Sequence, residues 1–314
     1  MCALRENIIV NTVADAFREV FDLVRDDRCR FRNALNDNEA MYYFRGENGN
    51  FKYPESSLAP DYPAIPGIYR EDAYRENEHY IFNEAIRAYP QEFVNDNTTF
   101  EKLTRMQHFG IPTRLLDVSP RLATALGMAT LPGVGGDDVS DCFGFVRVYR
   151  VNQSRIKYST SDTVVAISNL ARIRSEHVTI DDLGYLAYEC MNERAGFYWE
   201  KDSDVSKALQ RDIKKVWCVR PVNNNVRIQA QRGEFFLFGC GENKEPLNVS
   251  FAESDYTNPY APTEGIAEIG ILTLTPAMKK EVRDMGEILD TTEDRLYPDF
   301  GRFHKVIKER FGEK

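Results

Sequence analysis

From Thr12 onward, apolar residues recur at Val13, Phe17, Val20, Phe21 and Val24. Steps of three and four put them on one face of a helix, and Thr12-x-x-Asp15 supplies a capping pattern at its start. The run Glu39-Ala40-Met41-Tyr42-Tyr43-Phe44 reads as a strand that ends at Arg45-Gly46. A connector rich in Pro and Tyr spans Tyr53 to Tyr69, and its aromatic content predicts an ordered loop. Ile81, Phe82, Ala85, Ile86 and Tyr89 mark a second helix, stopped near Pro90. A third covers Thr99 to Gln107, with Gly110 as its natural C-terminal cap. Ser119-Pro120 predicts a capped start for a helix over Arg121 to Ala129.

Residues 133–141 predict a surface turn, and Phe143 to Val151 a strand. Asp162 to Ile173 and Thr179 to Asn192 read as helices. Val216 to Val219, Phe235 to Phe238 and Ile266 to Leu274 read as strands. Pro276 to Leu289 and Gly301 to Phe311 close the chain as helices, the last with a basic, solvated face. The mixture predicts an α+β fold: one domain over residues 1–314, with a central antiparallel or mixed sheet and helices packed around it.

At 314 residues, 42% hydrophobic and 28% charged, the chain has a globular balance. Its net charge of −9 argues against nonspecific wrapping of duplex nucleic acid, while leaving room for a local basic groove. There is no apolar run long enough for a membrane span and no leader-like N-terminus, so a cytoplasmic protein is expected. The six cysteines form no C-x-x-C pair and the four histidines are dispersed, so no metal site is expected.

Three distant segments place polar residues beside glycines at the entry to apolar runs. They are Tyr42–Glu47, Gln107–Asp117 and Gln231–Phe235. Buried charges are costly unless paired or used, so one shared polar pocket is expected. Arg45 is a planar fork suited to phosphate or carboxylate, and Gly46 would let a ligand approach the backbone. The plainer reading pairs Arg45 with Glu47 or Asp117. His108 would orient a ligand or shuttle a proton, or simply cap and hydrogen-bond. Arg114 and Asp117 would form a buried pair, with Asp117 accepting from Arg45, Arg114 or the Ser119 region. Glu234 would be a carboxylate at a sheet edge, or a solvated turn residue. Glu193 is a further acidic candidate, and Tyr198 and Trp199 could stack on a planar ring.

The chain resembles the FRG domain, a family of bacteria and phages named for its Phe-Arg-Gly motif. The likeness rests on Phe44-Arg45-Gly46, on Gln107-His108-x-Gly110-x-Pro112-Thr113-Arg114-Leu115-Leu116-Asp117, and on Arg227-x-x-x-Gln231-x-Gly233-x-Phe235. Asp162, Ser168-Asn169-Leu170 and Leu296-Tyr297-Pro298-Asp299-Phe300 also fit, so the resemblance runs over about residues 10–310. Arginine-type ADP-ribosyltransferases offer a second similarity. Their site opens on a strand ending Arg-Gly and closes on a Glu preceded by Gln or Glu, as Tyr43-Phe44-Arg45-Gly46 and Gln231-Arg232-Gly233-Glu234 do here. The spacing of the second motif is one residue longer, and no Ser-Thr-Ser strand is evident.

This second resemblance implies an NAD-dependent transferase, a toxin or phage-defence effector that moves ADP-ribose to an unknown acceptor macromolecule. Glu234 and His108 would be catalytic. Arg45, Gly46, Tyr43, Arg114 and Gln231 would bind the NAD, with Tyr43 or Tyr198 stacking on nicotinamide. An antitoxin or other regulatory partner would accompany it. The alternatives are a non-catalytic module for a nucleotide, phospho-ligand or protein, and a metal-dependent nuclease using Asp117 and Glu234.

Overall fold

The computed structural model describes residues 6–31, 40–49, 64–131, 140–178, 183–200, 203–247 and 265–298. In chain order the elements begin β1 (Glu6–Val10), α1 (Val13–Phe31), β2 (Ala40–Glu47), α2 (Asp72–Glu76), α3 (Glu78–Ala88) and α4 (Thr99–His108). Then come β3 (Leu115–Val118), α5 (Leu122–Thr130), β4 (Gly144–Asn152), β5 (Ile156–Tyr158), α6 (Asp162–Asn169), α7 (Gly184–Glu193) and α8 (Asp204–Ile213). The series closes with β6 (Val216–Arg220), α9 (Val226–Gln231), β7 (Glu234–Phe238), β8 (Ile266–Leu274), α10 (Pro276–Asp284), α11 (Gly286–Leu289) and α12 (Glu293–Leu296).

The fold is α+β, and its strands make two four-stranded mixed sheets, ordered β1-β8-β4-β2 and β3-β7-β6-β5. Parallel pairs occur at β1–β8 and β5–β6. The sheets meet at their edges: Phe44 of β2 and Ser119, just beyond β3, exchange backbone hydrogen bonds of 2.8 and 2.9 Å. Because strand side chains alternate between faces, each sheet has two apolar faces to cover. Tyr43, Tyr149 and Val151 of the first sheet share a core with Leu116, Val118, Cys218 and Phe236 of the second. The other face of the second sheet (Leu115, Trp217, Phe235, Leu237) is covered by α3, α4, α6, α7 and α8. The other face of the first (Phe44, Val146, Val148, Leu272) is covered by α1, α5 and α10.

Local signals account for the long elements. Thr12 caps α1, accepting from the Asp15 amide at 3.1 Å. Thr98 and Glu101 form a capping box on α4, and Gly110, at φ +76°, ends it in the left-handed region. The Ser119-Pro120 start is different from expectation. Arg121 is the N-cap of α5, while the Ser119 hydroxyl donates to the Gln231 carbonyl at 2.9 Å. The same hydroxyl accepts from the Arg121 amide at 3.1 Å, so it serves both the seam and the turn that leads into α5. Strands β1, β3 and β5 and helices α2, α8, α9 and α12 lack a counterpart among the elements expected from sequence. For α8 the signal was present, since Leu209 and Ile213 follow the Ser203 cap at helical spacing. The expected helix 301–311, most of the turn 133–141 and most of the connector 53–69 lie outside the described residues.

Candidate functional site

The residues singled out from sequence fall into three groups rather than one pocket. The first surrounds Glu234. This residue opens β7 opposite Val118 of β3 and projects on the face that carries Phe236 and Phe238. Its Oε2 accepts the Tyr43 hydroxyl at 2.7 Å, and the Cys218 thiol lies 3.6 Å from the same oxygen. Its Oε1 lies 3.4 Å from Arg220 Nε. Burial pushes the Glu234 pKa up, against the pull of Tyr43 and Arg220. The carboxylate still keeps 14% of its side-chain accessibility, and Arg220 keeps 33%. Tyr43 is wholly enclosed and edge-on to Phe236. It therefore has no free face for a nicotinamide ring, and its contribution is the hydroxyl that orients Glu234.

The second group lies across the second sheet. Asp117 alternates with Leu116 and Val118, so it faces α4. Its carboxylate accepts from Gln107 Nε2 at 3.0 Å, and the Thr113 hydroxyl donates to Gln107 Oε1 at 2.7 Å. Gln107 takes the place of the expected Arg45, Arg114 or Ser119 region, because Arg114 is held by Glu78 and the Ser119 hydroxyl by the Gln231 carbonyl. Arg45 instead donates to the Asp117 carbonyl at 3.0 Å and to Glu47 at 3.1 Å, bracing the free edge of β3. His108 sits beside Asn225, its Nδ1 3.4 Å from the amide nitrogen, and its carbonyl accepts from Arg227 at 2.8 Å. Burial, then Arg227, push the His108 pKa down to about 4, so the ring is neutral at pH 7. In that state the ring offers one donor and one acceptor nitrogen.

The third group is buried. Arg114 is fully enclosed and gives its guanidinium to Glu78 at 2.8 and 2.5 Å and to the Phe238 carbonyl at 2.9 Å. Its partner is thus Glu78, not Asp117. Arg114 precedes β3 and meets Phe238, whereas Glu234 lies at the far end of the same strand pair. Four residues separate the two ends, about 13 Å of strand. Gln231 is buried, donating to the Leu296 carbonyl at 2.8 Å. Gly46 faces α5: a Cβ there would stand 2.0 Å from the Ala125 carbonyl oxygen. The room left by this glycine is filled by a helix, not left for a ligand.

Glu193 is likewise engaged, accepting from the Thr99 amide at the α4 N-terminus and from Asn169, each at 3.0 Å. Trp199 stacks on Phe197, while the exposed Tyr198 bonds Glu200. Among the described residues, no three His, Cys, Asp or Glu side chains come together to hold a metal ion. No described helix is long and apolar enough to cross a membrane.

Several motif segments nonetheless converge. Arg227 stacks on Tyr297 at 4.7 Å while bonding His108, and Gln231 ties α12 to the seam that Phe44 and Ser119 close. The Phe-Arg-Gly strand, the Gln-His helix end and α5 form the centre of this arrangement.

Residues 41–131 match the family model of the FRG domain.

The match covers β2 through α5, so Arg45, Gly46, His108 and Arg114 lie within the matched segment, while Gln231, Glu234, Arg227 and Tyr297 lie outside it. The contacts above join those outer residues to it. No curated protein and no solved structure matches the chain, and the similarity to ADP-ribosyltransferases finds no support among the comparisons. Arg220 was missed in the sequence. A lone Arg at the end of a short apolar run carries no local signal, and only the pairing of β6 with β7 sets it against Glu234.

Proposed function

We propose that this FRG-domain protein is an NAD-consuming transferase of the ADP-ribosyltransferase kind, with Glu234 as its catalytic carboxylate. The observation that carries this reading is the seat of Glu234: half-buried, oriented by the Tyr43 hydroxyl, next to the accessible cation of Arg220. A carboxylate held where burial disfavours its charge is a mark of a functional site. In the reaction, the bond between nicotinamide and the ribose C1′ breaks and its electron pair leaves with nicotinamide. Glu234 stabilises the cation-like sugar. A nucleophile of the acceptor macromolecule then bonds to C1′ and releases its proton to Glu234 or water. Arg220 meets the pyrophosphate, and Tyr43 keeps the carboxylate aimed. A toxin or defence role inside the cell, with a neutralising partner protein, belongs to the same reading.

Glu234→Gln keeps the size and removes the charge. It is expected to slow nicotinamide release by about 100-fold or more while calorimetry finds dinucleotide affinity close to that of the native protein. The same change is expected to raise the melting temperature at neutral pH. Folding raises the Glu234 pKa, so the unfolded chain loses this proton at lower pH than the native one. The charged form therefore costs the fold stability above the ordinary glutamate range, and Gln removes that cost. Absence of NAD binding by the native protein would sink the transferase reading. The non-catalytic alternative is favoured by the neutral His108 beside Asn225 and Arg227. Ligand binding without turnover, lost on Arg227→Ala and untouched by Glu234→Gln, would establish it.

A further inference from the structure

The indole of Trp217 is almost fully buried, and three cations gather on it. Lys157 Nζ stands 4.7 Å from the ring centroid, the Arg155 guanidinium 5.2 Å and Lys215 Nζ 5.7 Å. The ring is fixed by its own Nε1, which donates to the Asp212 carbonyl at 2.9 Å. Asp212 is also the carboxylate nearest Lys215, at 3.6 Å, and its other oxygen accepts the Thr163 hydroxyl. Like charges collected on one ring repel one another, and cation–π attraction offsets that only in part. Lys157 and Lys215 thus hold positive charge at the edge of this ring, where an anion could meet it.

The field extends along α8. Lys207, Arg211 and Lys214 are all exposed and recur at steps of four and three, which puts them on one helix face. None of the three makes an ion pair among the described residues. The stripe runs about 10 Å along the axis and joins Lys215 through the chain. Cations at a helix C-terminus ordinarily just complement the helix dipole. That explains Arg211 and Lys214, but not Lys207 in the first turn and not the cluster on Trp217. Lys157, Lys207, Arg211, Lys214 and Lys215 thus gather about a helix whose own carboxylates are Asp204 and Asp212, in a chain whose net charge is −9.

From this geometry we infer that the α8–Trp217 face binds a nucleic-acid strand through its phosphates, without reading bases. A row of cations meets a row of evenly spaced phosphates, and the three held by the ring lose little freedom on binding. A lipid surface fits less well, because interfacial helices need large apolar side chains beside their cations. On α8 the exposed large apolar residue is Val205 alone, at 41%. The inference does not rest on the transferase reading.

The test uses the full chain and fluorescein-labelled poly-uridine and duplex DNA, with binding followed by anisotropy between about 50 and 200 mM salt. The triple variant Lys207→Glu, Arg211→Glu, Lys214→Glu is expected to weaken binding at least 30-fold and to lower the log–log salt slope by about 2–3, three phosphate contacts' worth. Lys157→Gln should lose a smaller part of both, which guards against misfolding of the triple variant. Lys280→Glu, an exposed cation on α10, should change neither. With Trp199→Phe, Trp217 becomes the sole tryptophan, and its emission should change on titration with poly-uridine. The idea is overturned if the native protein binds neither probe at about 50 mM salt. Equal losses in the Lys280 variant would overturn it too, as would variant-sensitive binding to phosphatidylserine vesicles without binding to either nucleic acid.

Discussion

Glu78→Gln is expected to cost about 3–5 kcal/mol of folding stability, the scale for removing one member of a buried ion cluster. The Glu78 carboxylate is buried and accepts from Arg114 at 2.8 and 2.5 Å and from Lys244 Nζ at 2.9 Å. Both cations are fully enclosed, so the neutral amide would strand two buried charges. Denaturant unfolding at pH 7 measures the loss. A second signature is its pH dependence. Arg114 and Lys244 outweigh the effect of burial and pull the Glu78 pKa down to about 2 from 4.5. A carboxylate with a depressed native pKa stabilises the fold above its unfolded pKa and loses that contribution as pH falls through the native one. The gap between the native protein and the variant should therefore be full above pH 4.5 and shrink as pH falls toward 2. A gap independent of pH would show that the carboxylate's charge is not what matters.

Gly46→Ala is expected to be similarly severe. The new Cβ would lie 2.0 Å from the Ala125 carbonyl oxygen and 2.8 Å from the Ala129 amide nitrogen. Both are backbone atoms, and a Cβ has no rotamer that avoids them, so α5 must lift off β2. Overpacking of this kind costs about 1–3 kcal/mol and sometimes more; with backbone on both sides, the upper end is expected. If the glycine served ligand approach instead, the variant would melt like the native protein and lose only binding. Thermal melts and dinucleotide calorimetry on one preparation separate the two.

These two residues show how one motif carries different burdens. Phe44 closes the seam to Ser119, Arg45 braces the Asp117 carbonyl, and Gly46 admits α5. All three contacts tie the fold together at positions where the sequence invites a ligand-binding reading for Arg45-Gly46. The sharper functional contrast is between Tyr43 and Glu234, which lie 191 residues apart and share one hydrogen bond.

Elements whose signals are local are legible in the amino-acid sequence. Helix α1 begins where Thr12 caps it, α4 ends at Gly110, and β8 runs over Ile266–Leu274 as its apolar run predicts. Caps and periodicity act over a few residues, so they can be read without a fold. The motifs also marked which polar residues matter. Whom they meet depends on how distant segments pack. Arg114 could not be assigned to Glu78 and Lys244, 36 and 130 positions away, from spacing alone. Nor could Asp117 and Glu234 be placed on opposite faces of one sheet until the register of β3 and β7 was fixed. A strand's side chains alternate, and a one-residue change of register would exchange the faces. Partners of buried charges are chosen by that register and by helix packing, both of which are properties of the whole chain.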